Sequence, residues 1–215
     1  MIIIGIDLSG PANYQDTVAT AFYMKNDGLT LKKSITHASD QDILNLVQAC
    51  SAETEVIIGI DAPLSYQDGG GDRPHDKALR SVLKAGGLNG SSIMTPTMTR
   101  MVYITLRGIQ LTRMLQSLNQ KIKIVEVHPG AAIGLRMGDP DPALHYKKDP
   151  VMRAKVFTWL KEQGMTGLTD EVAETTHSID ACGAALAVWH YAASDKQPVW
   201  TYEKTSAAHP FVMCC

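Results

Sequence analysis

One motif, written twice, constrains the fold of this chain more than any other feature. "IIIGIDLSG" occupies residues 2–10 and "VIIGIDAPLS" occupies residues 56–65, and in both an apolar run leads to an aspartate. Continuous Ile/Val runs without polar alternation are typical of strands buried on both faces of a sheet. We therefore expect an α/β fold in which Asp7 and Asp61 end two central strands.

The two motifs are not an internal repeat. Beyond the shared Ile-Gly-Ile-Asp the segments cannot be aligned without gaps, and Asp61 is followed by a glycine-rich loop rather than by a hairpin and a helix. Each aspartate alone is typical of a turn at the end of a strand. If the strands are parallel neighbours about 4.8 Å apart, however, the carboxylates of Asp7 and Asp61 meet at one sheet edge. Like charges so close together require a cation or a shared proton.

The rest of the chain alternates strand and helix patterns. The turn sequence Asn26-Asp27-Gly28 predicts a hairpin between the second and third strands. Ser39 or Asp40 is expected to cap the helix that follows, and "KIKIVEVHPG" predicts a fifth strand. Further helices are predicted from near Pro74, over "PTMTRMVYITLRGIQLTRMLQSLN", over about 149–163 and over about 178–192.

Length and composition indicate one domain with its own core. The chain has 215 residues, of which 45% are hydrophobic, and this is enough for a single domain. We expect a glycine-rich insertion at about 66–96 and a loose tail at about 203–215. A net charge of −2 and a pI near 6.4 give no overall basic signal. Any contact with nucleic acid would therefore depend on a local patch.

Cysteine usage and hydropathy bear on the cellular location. The four cysteines lack the spacing of a zinc site or of a disulfide framework, which favours a reducing compartment. No apolar run approaches the roughly 18 residues of a membrane span. We therefore expect a cytoplasmic protein that has no membrane partner.

Two further places could supply polar groups to the sheet edge. Glu126 lies between Val125 and Val127 in an apolar strand, so it needs a partner unless it faces solvent on an edge strand. His177 and Asp180 are three residues apart at the start of the last helix, a spacing that also fits a capping box. The apolar run that follows, small residues included, predicts that this helix packs tightly on the sheet, so its first turn would bring Asp180 to the strand carboxylates.

Five motifs in fixed order resemble a known family. They are "GIDLSG", "GIDAPLS", "RPHDKALR", "VEVHPGA" and "HSIDACGAALA", and they span roughly residues 2–192. The family is number 429 of the domains of unknown function, which are described as predicted nucleases of the RNase H-like fold. The resemblance implies a mixed five-stranded sheet flanked by helices, with the first and fourth strands adjacent and parallel. It places the hairpin strands on one side of this pair and the fifth strand on the other.

The resemblance also implies roles for individual residues. Asp7, Asp61 and Asp180 match the acidic residues that bind two divalent ions, Mg²⁺ or Mn²⁺, with Asp7 as the bridging ligand. His177 matches a position that is acidic or histidine in Holliday-junction resolvases of this fold, and Glu126 is a further catalytic candidate. The candidate substrate-binding residues, which would otherwise form a solvated helix face, are Arg73, Asp76, Lys77 and Arg80.

The expected activity is two-metal hydrolysis of phosphodiester bonds in a nucleic acid whose type the sequence does not indicate. One alternative is a non-catalytic binding or scaffold protein that keeps the RNase H-like fold. A second is a nucleotide-phosphate enzyme of the actin and sugar-kinase superfamily. Those enzymes need two domains of about 100 to 150 residues each, and this chain has the length of one.

Overall fold

Within residues 1–25, 28–118, 122–203 and 206–215, which a computed structural model describes, eight strands form a single mixed sheet. The strands are β1 (Ile2–Asp7), β2 (Val18–Lys25), β3 (Gly28–Thr36), β4 (Val56–Asp61), β5 (Ile122–Val127), β6 (Met165–Thr166), β7 (Thr201–Tyr202) and β8 (Met213–Cys214). Their order is β6-β3-β2-β1-β4-β5-β8-β7. The five predicted strands are the five long ones. The expected count of five was wrong because three two-residue strands extend the sheet at its two edges.

Helices cover both faces of the sheet, so the fold is α/β. They are α1 (Asp40–Glu53), α2 (Pro74–Ala85), α3 (Thr99–Leu118), α4 (Pro129–Gly134), α5 (Asp141–His145), α6 (Pro150–Glu162) and α7 (Thr176–Ala192). Ser39 caps α1 by accepting a hydrogen bond from the Asp42 amide, and the Asp149 side chain caps α6 in the same way. Both predicted starts are confirmed. Short helices α4 and α5 were not predicted.

The register of the central strands brings the two motifs together. Strand β1 pairs with β4 in parallel, so that Gly5 lies opposite Gly59 and Asp7 opposite Asp61. Strand β2 pairs with β1 in the antiparallel sense, and β5 pairs with β4 in parallel. The predicted adjacency of the first and fourth strands is therefore confirmed. The expected hairpin turn falls on Asn26 and Asp27, which lie outside the described residues.

Side-chain alternation along β1 divides the core into two layers. Ile2, Ile4 and Ile6 pack in the layer that contains α1 and α3, whereas Ile3 packs in the layer that contains α7. Because successive side chains in a strand point to opposite faces, Asp7 lies on the same face as Ile3. The aspartates at the ends of β1 and β4 therefore point toward the layer of α7.

The glycines of the two motifs allow α7 to approach the sheet closely. A Cβ atom on Gly5 would collide with the carbonyl oxygen of Ala181 and would lie 2.5 Å from the amide nitrogen of Ala185. A Cβ atom on Gly59 would lie 2.9 Å from the carbonyl oxygen of Ala184. Backbone thus packs directly on backbone, which sets the first turn of α7 beside the ends of β1 and β4.

The chain terminus is more ordered than we expected. Strand β8 pairs with β5 in parallel, and Cys215 is fully buried. Arg136 donates a hydrogen bond of 3.0 Å to the Cys215 carbonyl oxygen. The prediction of a loose tail is therefore wrong for residues 213–215, because a strand of two residues leaves too short a pattern to recognise in sequence.

Two other expectations concern the whole chain. All four cysteines are free and buried, in keeping with the lack of any disulfide or zinc spacing. In the ranges that the structure describes, no helix has both the length and the apolar character that crossing a bilayer demands.

Candidate metal centre

Three carboxylates from three elements converge on one edge of the sheet. Asp7 and Asp61 end the paired strands β1 and β4, and Asp180 lies just beyond the first turn of α7. Asp7 is 8% exposed and Asp180 is 3% exposed. Burial of this many acidic groups is costly unless positive charge or protons compensate it.

His177 connects α7 to the end of β1. Its Nδ1 atom lies 2.6 Å from Oδ2 of Asp7. This bond raises the pKa of His177, because the carboxylate favours the protonated imidazole. The close packing of α7 on the sheet thus brings His177 next to Asp7.

The two strand carboxylates are not easily ionised together. Burial raises the pKa of Asp7 to about 6, although the hydrogen bond from His177 opposes this, and the charge of Asp180 raises it further. Burial and then the charges of Asp7 and Asp180 hold the pKa of Asp61 well above its usual range. Such shifts are the electrostatic signature of a site that would be stabilised by a cation.

Asp180 has two protein partners that sequence reasoning missed. The Tyr146 hydroxyl donates to Oδ1 of Asp180 at 2.5 Å, and Nζ of Lys147 lies 2.9 Å from Oδ2. Both residues belong to "HYKKDP", between α5 and α6. The only local signal was a pair of lysines just before a helix cap, and such pairs are ordinary on solvated surfaces.

The donor set of this centre suits a hard divalent cation. Carboxylate oxygens are the ligands that Mg²⁺ and Mn²⁺ prefer, and one imidazole nitrogen is compatible with Mn²⁺. Asp7, Asp61 and Asp180 are the residues of this centre that could hold a cation. Among the described residues these three do not form a group whose ligand atoms all lie within 4.8 Å of one another, and the ammonium of Lys147 lies on Asp180.

A second acidic cluster lies at the start of α2. Arg73 is 1% exposed and forms ion pairs with Asp76 at 2.8 Å and with Glu126 at 2.5 Å. Its Nε also donates to Asp76, and its Nη1 donates to Glu126 and to Ser65. The backbone amide of Leu64 donates to Glu126 as well. Every carboxylate oxygen of this cluster therefore has a partner.

His75 borders the Arg73 cluster. The ligand atoms of His75, Asp76 and Glu126 lie within 4.8 Å of one another, so this buried group could hold a metal ion. Burial and the nearby charge of Arg73 lower the pKa of His75 to about 4, and its Nε2 atom has no hydrogen-bond partner among the described residues. An ion bound there would have to compete with the Arg73 guanidinium for both carboxylates.

The structure separates Glu126 from the three aspartates. Ile122 and Ile124 of β5 pack in the layer of α1 and α3, and by alternation Glu126 lies on that same face. Asp7 and Asp61 lie on the other face. Glu126 is therefore neutralised by Arg73 rather than joined to Asp180, and the catalytic role predicted for it stays a prediction.

The four candidate substrate-binding residues have unlike surroundings. Arg73 and Asp76 are buried in the ion-pair cluster just described. Arg80 donates hydrogen bonds to both carboxylate oxygens of Asp72, and its Nη2 also donates to the Ile93 carbonyl oxygen. It therefore connects two parts of the glycine-rich segment to α2. Lys77 is exposed on α2. Of the four, Lys77 is the side chain most available to a phosphate.

A cleft of about 660 Å³ joins the two clusters. Its walls include Asp7, Asp61, Arg73, Glu126 and Lys147. Apolar side chains also line it, among them Leu88, Ile93, Met94, Met101 and Ile104. The acidic centre is therefore open to a ligand larger than a metal ion.

Comparison with protein families gives one match. The sequence model of the family described as "Protein of unknown function (DUF429)" matches residues 5–201, which is most of the chain. The chain belongs to this family. No protein with a curated description matches it. The matched range begins before Asp7 and ends after Asp180, so it includes the residues of both acidic clusters.

Proposed function

We propose that this DUF429 protein is a metal-dependent nuclease that hydrolyses phosphodiester bonds at Asp7, Asp61 and Asp180. The observation that carries the proposal is the register of β1 and β4, which sets Asp7 and Asp61 side by side at the ends of two buried strands. Asp180 joins them from a helix that glycines bring onto the sheet. Asp7 and Asp61 line an open cleft and Asp180 lies close to both, so the three carboxylates would form a binding site for divalent ions such as Mg²⁺ or Mn²⁺.

The RNase H-like fold is part of the same proposal. The five long strands have the order β3-β2-β1-β4-β5, in which β2 alone is antiparallel to β1. This is the arrangement that the family resemblance implies. It supports the proposal because the acidic residues lie on the first strand, on its parallel neighbour and on a late helix.

The chain's own residues have distinct tasks in this reaction. Two bound ions would activate a water molecule and stabilise the leaving oxygen. Asp7, which lies opposite Asp61 in the strand register, would be the shared ligand of these ions, and Asp61 and Asp180 would be the other ligands. His177 bonds Asp7 through Nδ1, which leaves its other ring nitrogen to carry a proton between the site and solvent.

The test is cleavage of a panel of single-stranded, duplex, hybrid and branched nucleic acids with Mn²⁺. We expect at least one substrate to be cleaved, and EDTA to abolish that cleavage. Asp7→Asn should reduce the cleavage rate by about 10³-fold or more, since the reaction depends on the ions and an amide would hold them poorly. The matched control is Asp195→Asn, which changes an exposed aspartate and should leave the rate unchanged. Equal cleavage by the Asp7→Asn protein would remove the site from the proposal.

One observation favours a non-catalytic alternative. Asp7 is bonded to His177, and both oxygens of Asp180 are bonded to Tyr146 and Lys147. A centre neutralised from within could serve a scaffold protein that binds nucleic acid without cutting it. Absence of Mn²⁺ binding by the wild-type protein, together with absence of cleavage across the panel, would favour that alternative.

A further inference from the structure

The segment between α5 and α6 supplies two partners to Asp180. Tyr146 donates its hydroxyl hydrogen to Oδ1, and Lys147 places its ammonium 2.9 Å from Oδ2. Consecutive residues therefore hold the two oxygens of one carboxylate. One partner is neutral and the other is charged, and none of the roles assigned above uses Lys147.

The two partners differ in their freedom to move. Tyr146 is 1% exposed, so its ring is fixed by packing. The side chain of Lys147 is 59% exposed, although its end lies on a carboxylate that is nearly inaccessible. A lysine ammonium has three donor hydrogens on a flexible four-carbon stem. Lys147 can therefore change acceptors while Tyr146 keeps Asp180 in place.

The charge of Lys147 acts on the whole centre. Burial lowers the pKa of Lys147, but the carboxylates of Asp180 and Asp61 outweigh burial and hold that pKa above its usual value. In return, the ammonium lowers the pKa of Asp61 and of Asp7, against the larger effect of burial. Lys147 thus supplies positive charge where divalent ions would otherwise supply it.

We propose that Lys147 is the exchangeable cation of the acidic centre. In the metal-free protein it holds Asp180, and when divalent ions take that carboxylate it turns to a phosphate oxygen of the nucleic acid. This inference rests on the proposed nuclease function and adds a substrate contact to it. A lysine ammonium is suited to the task because it binds phosphate as a point charge. Its exposed stem lets it reach a substrate that lies in the cleft.

The test uses Lys147→Met in the full-length chain. Because the ammonium no longer competes for Asp180, we expect Mn²⁺, titrated by electron paramagnetic resonance, to bind about tenfold more tightly than in wild type. At saturating Mn²⁺ we expect cleavage of a susceptible substrate to slow by about 10²-fold, because the phosphate loses a positive partner. General structural damage would weaken both properties, so the opposite directions are diagnostic.

The matched control is Lys155→Met, which removes an exposed lysine of α6 away from the cleft. It should change neither Mn²⁺ affinity nor cleavage by more than about twofold. Tighter binding in both variants would reveal a non-specific effect of net charge and would overturn the inference. So would an Mn²⁺ affinity of Lys147→Met equal to or weaker than that of wild type.

A wild-type crystal soaked in Mn²⁺ tests the same exchange without a variant. We expect Nζ of Lys147 to lie beyond about 4 Å from Asp180, outside ion-pair distance. An intact pair with Mn²⁺ bound at Asp180 would overturn the exchange and leave the nuclease proposal standing. If the wild-type protein binds no Mn²⁺ and cleaves nothing, the proposed function fails and the inference fails with it.

Discussion

Two buried acidic clusters line the same cleft, but their negative charge is balanced in different ways. In the Arg73 cluster, one guanidinium with 1% exposure bonds both Asp76 and Glu126. In the aspartate centre, the balancing groups are a half-exposed histidine and a lysine that is mostly in solvent. A permanent internal cation makes carboxylates part of the architecture. A partial and movable one leaves them available to bind something else.

The rigidity of the two cations follows from their chemistry. A guanidinium presents five donors in a planar fork, and once both carboxylates are bonded it has little reason to move. An ammonium is a compact point charge that gains nearly as much from a phosphate as from a carboxylate. We therefore interpret the Arg73 cluster as a structural device and the aspartate centre as the reactive one.

The largest change in stability is expected when the buried cation of the Arg73 cluster is removed. Arg73→Met would leave Asp76 and Glu126 buried without positive charge, and we expect the free energy of unfolding to fall by about 3 to 5 kcal/mol. Urea denaturation measures this change. If Arg73→Met costs less than about 1 kcal/mol, the cluster is not held by its ion pairs, and the comparison fails.

Replacing one carboxylate by an amide should change the free energy of unfolding in opposite directions in the two clusters. Glu126→Gln weakens the partner of Arg73, so we expect the free energy of unfolding to fall by about 3 kcal/mol. Asp7→Asn removes a charge that burial disfavours, so at pH 8 in EDTA we expect this free energy to rise by about 2 kcal/mol. The same sign for both variants would contradict the distinction.

The pH dependence of the Asp7 effect follows from the direction of its shift. The pKa of Asp7 is about 6 in the folded protein and 3.8 ordinarily, so the folded state holds this proton more tightly than the unfolded state. Its contribution therefore favours folding below pH 3.8 and is lost as the pH rises through 6. The advantage of Asp7→Asn over wild type should shrink as the pH falls from 8 to 4, and a constant difference would contradict this assignment.

Disturbing the backbone contact between β1 and α7 should have a smaller effect on stability, and it should affect the aspartate centre. Gly5→Ala would push α7 away from β1, because the new Cβ meets the backbone of Ala181 and Ala185. We expect the free energy of unfolding to fall by about 1 to 3 kcal/mol, and Mn²⁺ affinity to fall because Asp180 moves with α7. Gly138→Ala is the control, since its Cβ would contact nothing within 4 Å. Unchanged Mn²⁺ affinity in Gly5→Ala would show that the close packing does not position the centre.

The smallest effect on stability is expected for Lys147→Met. Its side chain is 59% exposed, and exposed ion pairs contribute about 0 to 1 kcal/mol. We therefore expect a change in the free energy of unfolding of less than about 1 kcal/mol in the metal-free protein. A loss as large as that for Arg73→Met would mean that Lys147 is a fixed structural cation.

The aspartate centre could be predicted from sequence where the pattern is local and regular. The repeated apolar motif predicted two buried strands, and the family resemblance implied that they are parallel neighbours, from which the shared register of Asp7 and Asp61 follows. Asp180 was found because small apolar residues predicted that the last helix packs tightly. In each case the signal lies within one element.

The remaining contacts depend on how distant segments meet. Lys147 precedes α6 in the sequence and pairs with Asp180, which follows α6. Arg73 lies in a glycine-rich segment and pairs with Glu126 of β5. Neither pairing leaves a periodic trace in the sequence. Side-chain alternation along β5 places Glu126 on the same face as Ile122 and Ile124. Which helices cover that face, however, is decided by the tertiary fold.

The most direct measurement is anomalous scattering from crystals of the wild-type protein soaked in Mn²⁺. If the aspartate centre is the functional one, the anomalous peaks will lie among Asp7, Asp61 and Asp180. A peak at His75, Asp76 and Glu126 with the aspartates empty would contradict our assignment of the two clusters. Absence of any peak at the aspartates when the crystals are soaked above the Mn²⁺ concentration that supports cleavage would contradict the metal centre itself.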